Sequence, residues 1–207
     1  MKLYVLADME GISGIRAIEQ VKRDSNEYAH GRELMMRELN AAVAALAEAG
    51  VDDIVVCDTH AGGGQVRMDA MDPRALYETP NAGRLMPSLD ESFDGVVLLG
   101  HHAKAGTRNG FLDHTWSSAS WFEYRINDCN VGEIAIEAAW AAHYGVPVVA
   151  VSGDAATAAE ARELLGRVET ATVKWAIGRN RAKCLPLPRA HEEIASALRR
   201  AVASIGE

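Results

Sequence analysis

Apolar residues in the chain are gathered into short runs that alternate with longer, mixed segments. Near-continuous apolar runs are typical of strands that are covered on both faces. Runs of this kind predict strands, and the pattern is weaker in residues 168–177. Residues 121–132 predict a pair of strands with a tight turn at Asn127 and Asp128. The main predicted strands cover residues 3–7, 52–60, 94–102, 146–154 and 168–177.

Longer segments between these runs are rich in helix-forming residues. Residues 25–50 predict a long helix, because SNEY offers a capping start and Gly50 suits the position just after a helix end. Shorter helices are predicted at 132–144, 156–166 and 188–204. Alternation of strands and helices predicts an α/β layered fold with a central, mainly parallel sheet flanked by helices. We expect residues 1–207 to form a single domain.

Composition narrows the class of protein. The 207 residues include 21 Lys and Arg against 29 Asp and Glu, a formal net charge of -8, and no basic stripe is present. Nucleic acid and anionic membranes are therefore not expected partners. No run approaches the roughly 20 apolar residues that cross a bilayer, and an acidic pair lies where a signal peptide would need small residues, so we expect a cytoplasmic protein. Cys57, Cys129 and Cys184 fit no disulfide or zinc-finger spacing.

Polar residues with metal-binding side chains follow the predicted strands at the point where each ends. Ligands of open α/β sheets lie beyond the carboxyl ends of the strands, so the topology would bring these residues together. The residues at strand ends are Asp8 and Glu10 in YVLADMEGIS, Asp58 and His60 in CDTHAGGG, His101 and His102 in LLGHHA, and Asp154.

Each candidate also has an ordinary structural explanation. Asp8 and Glu10 point to one face of an extended chain, either as half of a metal site or as solvated acids at a turn. His60 follows its strand closely and is either a ligand or a loop residue. Glu133 begins a helix, where the macrodipole alone would favour an acid.

An adjacent pair of histidines and one further histidine complete the candidate site residues. His101 and His102 are adjacent, so on an extended chain they face opposite ways and only one of them is expected at a shared site. His114, in LDHTW, is either a polar loop residue or a site residue. Because acids and imidazoles converge at strand ends, the sequence favours a site for zinc or manganese, and an aspartate able to bridge suggests two ions.

In these segments the sequence resembles the D-aminopeptidases of peptidase family M55. The resemblance spans nearly the whole chain, and several separated motifs in one order are far more specific than any single motif. The motifs are MKLYVLADMEGISG, YAHGRELM, DTH, LLGHHA, DHTW, INDCNVGE, GVPVVAVSGD and VKWAIGRNRAKCL.

The resemblance implies a dinuclear zinc aminopeptidase that releases D-amino acids from short peptides and assembles as a homo-oligomer in the form of a ring-shaped decamer. It implies that Asp8 bridges two zinc ions. Glu10 and His102 would complete one zinc site, and His60 and Glu133 would complete the other.

The same resemblance implies that His114 is catalytic, either as a nucleophile or as a general acid/base. The segment between His102 and His114 is one residue longer than the family pattern. Family members usually continue beyond residue 207, so we expect the chain to lack a C-terminal segment found in longer relatives. Two other functions fit the strand-end residues: a metal-dependent hydrolase of another bond, such as a phosphoester, and a non-catalytic module that binds a small ligand.

Overall fold

The computed structural model describes residues 1–81 and 83–206 and contains a seven-stranded sheet. Its strands are β1 (Lys2–Ala7), β2 (Asp53–Asp58), β3 (Ala75–Glu78), β4 (Gly95–His101), β7 (Val148–Asp154), β8 (Glu169–Gly178) and β9 (Arg181–Cys184). The order is β3-β2-β1-β4-β7-β8-β9, and every pair is parallel except β8–β9. The predicted α/β fold with a mainly parallel sheet is confirmed.

Helices cover both faces of this sheet. They are α1 (Tyr28–Glu48), α2 (Glu133–His143), α3 (Ala155–Leu165) and α4 (Leu187–Ser204). Side chains of β1 alternate between two apolar cores: Leu3 and Val5 pack in the core that includes α1 and α4, whereas Tyr4 and Leu6 pack in the core that includes α2 and α3. Because β1 is buried on both faces, its near-continuous apolar run is explained.

The predicted boundaries differ from the structure in a few places. Helix α1 begins at Tyr28 rather than at Ser25, and Gly50 follows its end with φ +92°, which suits glycine. The predicted pair at 121–132 contracts to two-residue strands β5 (Arg125–Ile126) and β6 (Cys129–Asn130). Both strands are exposed, so this segment has no buried face whose packing would extend the pairing.

Two strands were not predicted from the sequence. Strand β3 has only four residues, and β9 follows β8 after a tight turn and contains two basic residues. Both lie at the edges of the sheet, where the apolar pattern is weakest. No helix in the described part of the chain has the length and apolarity needed to cross a membrane.

The order of the strands places a crevice at the centre of the sheet. The chain builds β1, β2 and β3 in one direction and then crosses to β4 on the other side of β1. In open parallel sheets, ligands bind beyond the strand ends at such a reversal. The carboxyl ends of β1, β2 and β4 are therefore the expected place for a site.

Candidate metal centre

The ends of β1 and β4 approach each other so closely that only glycine fits at two positions. A Cβ on Gly11 would lie 2.1 Å from the carbonyl oxygen of His101, and a Cβ on Gly100 would lie 2.5 Å from that of Asp8. Gly100 also has φ +71°, and the Gly11 amide donates to the Gly100 carbonyl at 2.7 Å. This contact holds the acids after β1 beside the histidines of β4.

One trio of ligand-type side chains joins the ends of β1 and β2. His60 Nδ1 lies 3.2 Å from Asp8 Oδ1 and 3.1 Å from Glu10 Oε2. Its other nitrogen, Nε2, lies 3.1 Å from the carbonyl oxygen of Val21. If Nε2 donates to this carbonyl, Nδ1 is left facing the two carboxylates with a lone pair available for a metal ion.

A second trio joins the end of β4 to the start of α2. His102 Nε2 lies 3.4 Å from Asp8 Oδ2 and 3.3 Å from Glu133 Oε1, and His114 Nε2 lies 3.9 Å from the same Glu133 oxygen. The two imidazole rings stack with centroids 3.9 Å apart. Each ring places Nδ1 within hydrogen-bonding distance of a backbone carbonyl, at 3.0 Å from Ala103 and 2.8 Å from Leu112, which leaves both Nε2 atoms facing the acids.

Electrostatics show that the cluster is short of positive charge. Burial lowers the pKa of His60, but the carboxylates of Glu10 and Asp8 outweigh burial and raise this pKa to about 12. The pKa of His102 is likewise raised well above its usual value, against the effect of burial, by Glu133 and Asp8. The direction of both shifts has one cause, which is that three largely buried carboxylates face these imidazoles with no other counter-charge in the cluster.

These residues fit a zinc centre. His102 Nε2 is buried and makes no hydrogen bond within the described residues, although two carboxylates lie within 3.4 Å. Carboxylates and imidazoles are zinc ligands, and a cation between them would supply the missing charge. The ligand atoms of each trio, Asp8–Glu10–His60 and His102–His114–Glu133, lie within 4.8 Å of one another.

All six predicted site residues therefore lie in one cluster: Asp8, Glu10, His60, His102, His114 and Glu133. Their contacts group them differently from the division that the resemblance implies, since Glu10 contacts His60 and Glu133 contacts His102. Both groups contact Asp8, through its two carboxylate oxygens.

Two acids at strand ends lie outside this cluster and have structural roles. Asp58 Oδ2 accepts a hydrogen bond from the Gln65 amide at 2.6 Å and so closes the loop after β2. Asp154 Oδ1 accepts from the Thr157 amide at 2.8 Å and caps α3, while its Oδ2 accepts from the Phe111 amide at 2.7 Å.

The adjacent histidines of β4 face different partners. His102 contacts the cluster, whereas His101 Nε2 lies 2.6 Å from Glu137 Oε2, and both of these side chains are buried. Glu137 is one turn after Glu133 on α2. The pair therefore fastens the end of β4 to the helix that carries Glu133.

We expect His102→Ala to lose zinc and activity, and His101→Ala to keep zinc and most of its activity at low temperature. His101→Ala should also be less stable by on the order of 3 kcal/mol, because Glu137 would be left buried without a partner. Zinc content, activity and thermal unfolding of both variants would check this. If His101→Ala lost zinc and His102→Ala kept it, the assignment of these two residues would be reversed.

Sequence reasoning missed Lys174, which holds the loop after β1. Lys174 Nζ is buried and donates to the carbonyl oxygens of Glu10, Ile12 and Ile15 at 2.7, 2.6 and 2.7 Å. Burial lowers the pKa of Lys174 to about 8. The only sequence signal was a lysine within the apolar segment VKWAI, which nothing local explains.

A cavity of about 560 Å³ opens over the cluster. Its volume is within the range of small-molecule sites. The cluster residues on its wall are Asp8, Glu10, His60, His114 and Glu133. The site is therefore reachable by a ligand of modest size, with His114 beside the carboxylates.

Comparison with known proteins identifies relatives that are D-aminopeptidases, one of them zinc-dependent, in agreement with the zinc-type side chains of the cluster. The chain is 36% identical over 187 residues to a D-aminopeptidase of Bacillus subtilis (strain 168), an alignment that covers 89% of this chain and 68% of that protein. The structure of the present chain is similar to that of the Zn-dependent D-aminopeptidase DppA from Bacillus subtilis, a self-compartmentalizing protease. The TM-score is 0.94 and the identity is 33%, over 98% of this chain and 74% of that one. The M55 peptidase family, described as D-aminopeptidase, matches residues 1–207, and the chain belongs to this family.

Proposed function

We propose that the chain is a zinc-dependent D-aminopeptidase that hydrolyses short peptides with a free N-terminal amino acid. The observation that carries this proposal is the cluster of three carboxylates, Asp8, Glu10 and Glu133, around the imidazoles of His60 and His102. The buried Nε2 of His102 makes no hydrogen bond within the described residues. Membership of the M55 family supports the same chemistry.

We propose further that the cluster binds two zinc ions, with Asp8 between them. Asp8 suits this role because its Oδ1 faces His60 and its Oδ2 faces His102. The five ligands would be Asp8, Glu10, His60, His102 and Glu133. Bound zinc would supply the Lewis acidity that polarises a peptide carbonyl and lowers the pKa of water.

His114 would act on the scissile amide from the wall of the cavity. Its Nδ1 lies 2.8 Å from the Leu112 carbonyl oxygen, and a hydrogen bond donated there orients the ring and leaves Nε2 as the basic nitrogen. From this position Nε2 could take a proton from the attacking water and deliver it to the leaving amine, or it could itself attack the scissile carbonyl carbon as a nucleophile. Glu133 Oε1, 3.9 Å away, would stabilise the imidazolium formed by proton uptake.

Assembly is the other part of the proposal. The structurally similar protease is described as self-compartmentalizing, and we propose that this chain also forms a homo-oligomer. A ring-shaped decamer and a cytoplasmic location stay predictions from the sequence.

The proposed function predicts zinc in the purified protein and hydrolysis of D-alanyl p-nitroanilide in preference to the L-enantiomer. Metal analysis and paired kinetics on the two substrates would check it, with p-nitrophenyl phosphate measured alongside. Equal rates on both enantiomers would reject the D-preference. Faster hydrolysis of the phosphoester would favour the alternative hydrolase, and a protein with neither zinc nor activity would favour a binding module.

A further inference from the structure

The cavity over the cluster is acidic at its base and basic near its opening. The side chains of Asp8, Glu10 and Glu133 are largely buried there, whereas those of Lys22 and Arg179 are exposed and line the same cavity. A short peptide carries its positive amine at one end and its negative carboxylate at the other. The distribution of charge in the cavity therefore matches that of a short peptide lying with its amine inward.

Arg179 is held in place but keeps donors free. Its Nε donates to Asp113 Oδ1 at 3.1 Å and its Nη2 donates to the Asp113 carbonyl oxygen at 3.0 Å. Its own carbonyl accepts from the Leu112 amide at 2.7 Å. Within the described residues Nη1 makes no hydrogen bond, so Arg179, which lines the cavity, combines a guanidinium fixed by Asp113 with an unused donor group.

The partner of Arg179 is the residue directly before His114. Asp113 is buried, and its Oδ2 also accepts from the Gly106 amide at 2.8 Å, so this carboxylate is engaged on both oxygens. Although Asp113 offsets the formal charge of Arg179, the free N–H groups still favour an incoming carboxylate. The segment that carries His114 and the side chain of Arg179 therefore form one hydrogen-bonded unit.

Hydrolysis of a dipeptide places the group that binds the terminal carboxylate close to the group that acts on the leaving amine. In a dipeptide the scissile nitrogen and the terminal carboxylate carbon are separated by only two bonds, through one Cα. A residue that binds this carboxylate must accordingly lie beside the residue that acts on the leaving amine. Arg179 is suited to this role because it lines the same cavity as His114 and binds Asp113, the residue before His114.

We propose that Arg179 binds the C-terminal carboxylate of short peptide substrates, and that the enzyme consequently prefers peptides with a free carboxylate to peptides with an amidated C-terminus. This inference rests on the proposed aminopeptidase function and adds the substrate class to it. Lys22 also lines the cavity and follows Val21, whose carbonyl oxygen contacts His60, and its positive charge favours the same class of substrate.

The test compares D-alanyl-D-alanine with D-alanyl-D-alanine amide, which differ only in the terminal charge. For Arg179→Met we expect kcat/KM on the free dipeptide to fall by about 10-fold relative to the amide, mainly through KM, since this is the scale of a charge-assisted hydrogen bond. Arg179→Lys keeps the charge and should retain part of the preference. Arg181→Met is the matched control, because Arg181 has the same exposed fraction of 57%, pairs with Glu19 and belongs to the same hairpin.

A purely structural role for Arg179 gives a different result. If Arg179 only anchors the segment of His114, Arg179→Met should lower kcat/KM equally on both substrates and leave their ratio unchanged, which would overturn the inference. A wild-type enzyme that hydrolyses the two substrates equally well would also overturn it. Activity on D-alanyl p-nitroanilide separates these results from failure of the proposed function, in which no D-alanyl substrate is hydrolysed.

Discussion

Asp8→Ala should purify without tightly bound zinc and without detectable peptidase activity. The two oxygens of Asp8 face the two imidazoles, at 3.2 Å from His60 Nδ1 and 3.4 Å from His102 Nε2. Removal of this carboxylate would therefore affect both proposed ions. Loss of a residue that only hydrogen-bonds to a metal ligand typically lowers metal affinity by about 10–100-fold, and loss of the ligand Asp8 should lower it by more.

His60→Ala provides the comparison for this variant. His60 contacts Asp8 and Glu10 but belongs to only one of the two trios, so its removal should weaken chiefly one ion. Zinc would be counted by elemental analysis and its affinity measured by competition with a chelator, and circular dichroism would show that each variant is folded. Retention of two tightly bound zinc equivalents in Asp8→Ala would exclude a bridging role.

Much of the fold could be predicted because its centre follows one simple rule. Strands β1, β2 and β4 are buried on both faces, so each is a short apolar run that is visible without any partner. The edge strands β3 and β9 could not be predicted, because they form through pairing with the neighbouring strands and have no apolar pattern of their own. Their positions depend on contacts that a local pattern does not contain.

The candidate site divides in the same way. Side chains at the ends of parallel strands could be predicted to meet, and Asp8, His60 and His102 do meet. The residues that hold them could not be predicted, because their partners are distant in sequence. Lys174 is 164 positions from Glu10, whose carbonyl it binds, and its role is apparent only when β8 lies beside the loop after β1.

Arg179 illustrates the same limit for substrate recognition. In the sequence it is one of several basic residues in GRNRAK, and nothing distinguishes it from Arg181. In the structure Arg179 lines the cavity and binds Asp113, whereas Arg181 pairs with Glu19. The turn between β8 and β9 decides which arginine reaches the site.

His114→Ala should keep zinc and the fold while kcat falls by orders of magnitude. His114 lies outside the five proposed ligands, with its Nε2 3.9 Å from Glu133 Oε1 and its ring stacked on His102. Loss of a general acid/base typically lowers the rate by about 10²–10⁴-fold. If His114 is instead the nucleophile, the loss should be larger, because the variant has no attacking group.

Kinetics on D-alanyl p-nitroanilide, with zinc content measured on the same sample, would decide between these roles. His114→Gln is a matched variant that keeps a polar side chain but cannot exchange a proton near neutral pH, so it should be as inactive as His114→Ala. A covalent adduct trapped on the wild-type protein and absent from both variants would identify a nucleophile. A kcat close to that of the wild type would exclude a catalytic role, and loss of zinc would make His114 a ligand, as its place in the trio with His102 and Glu133 permits.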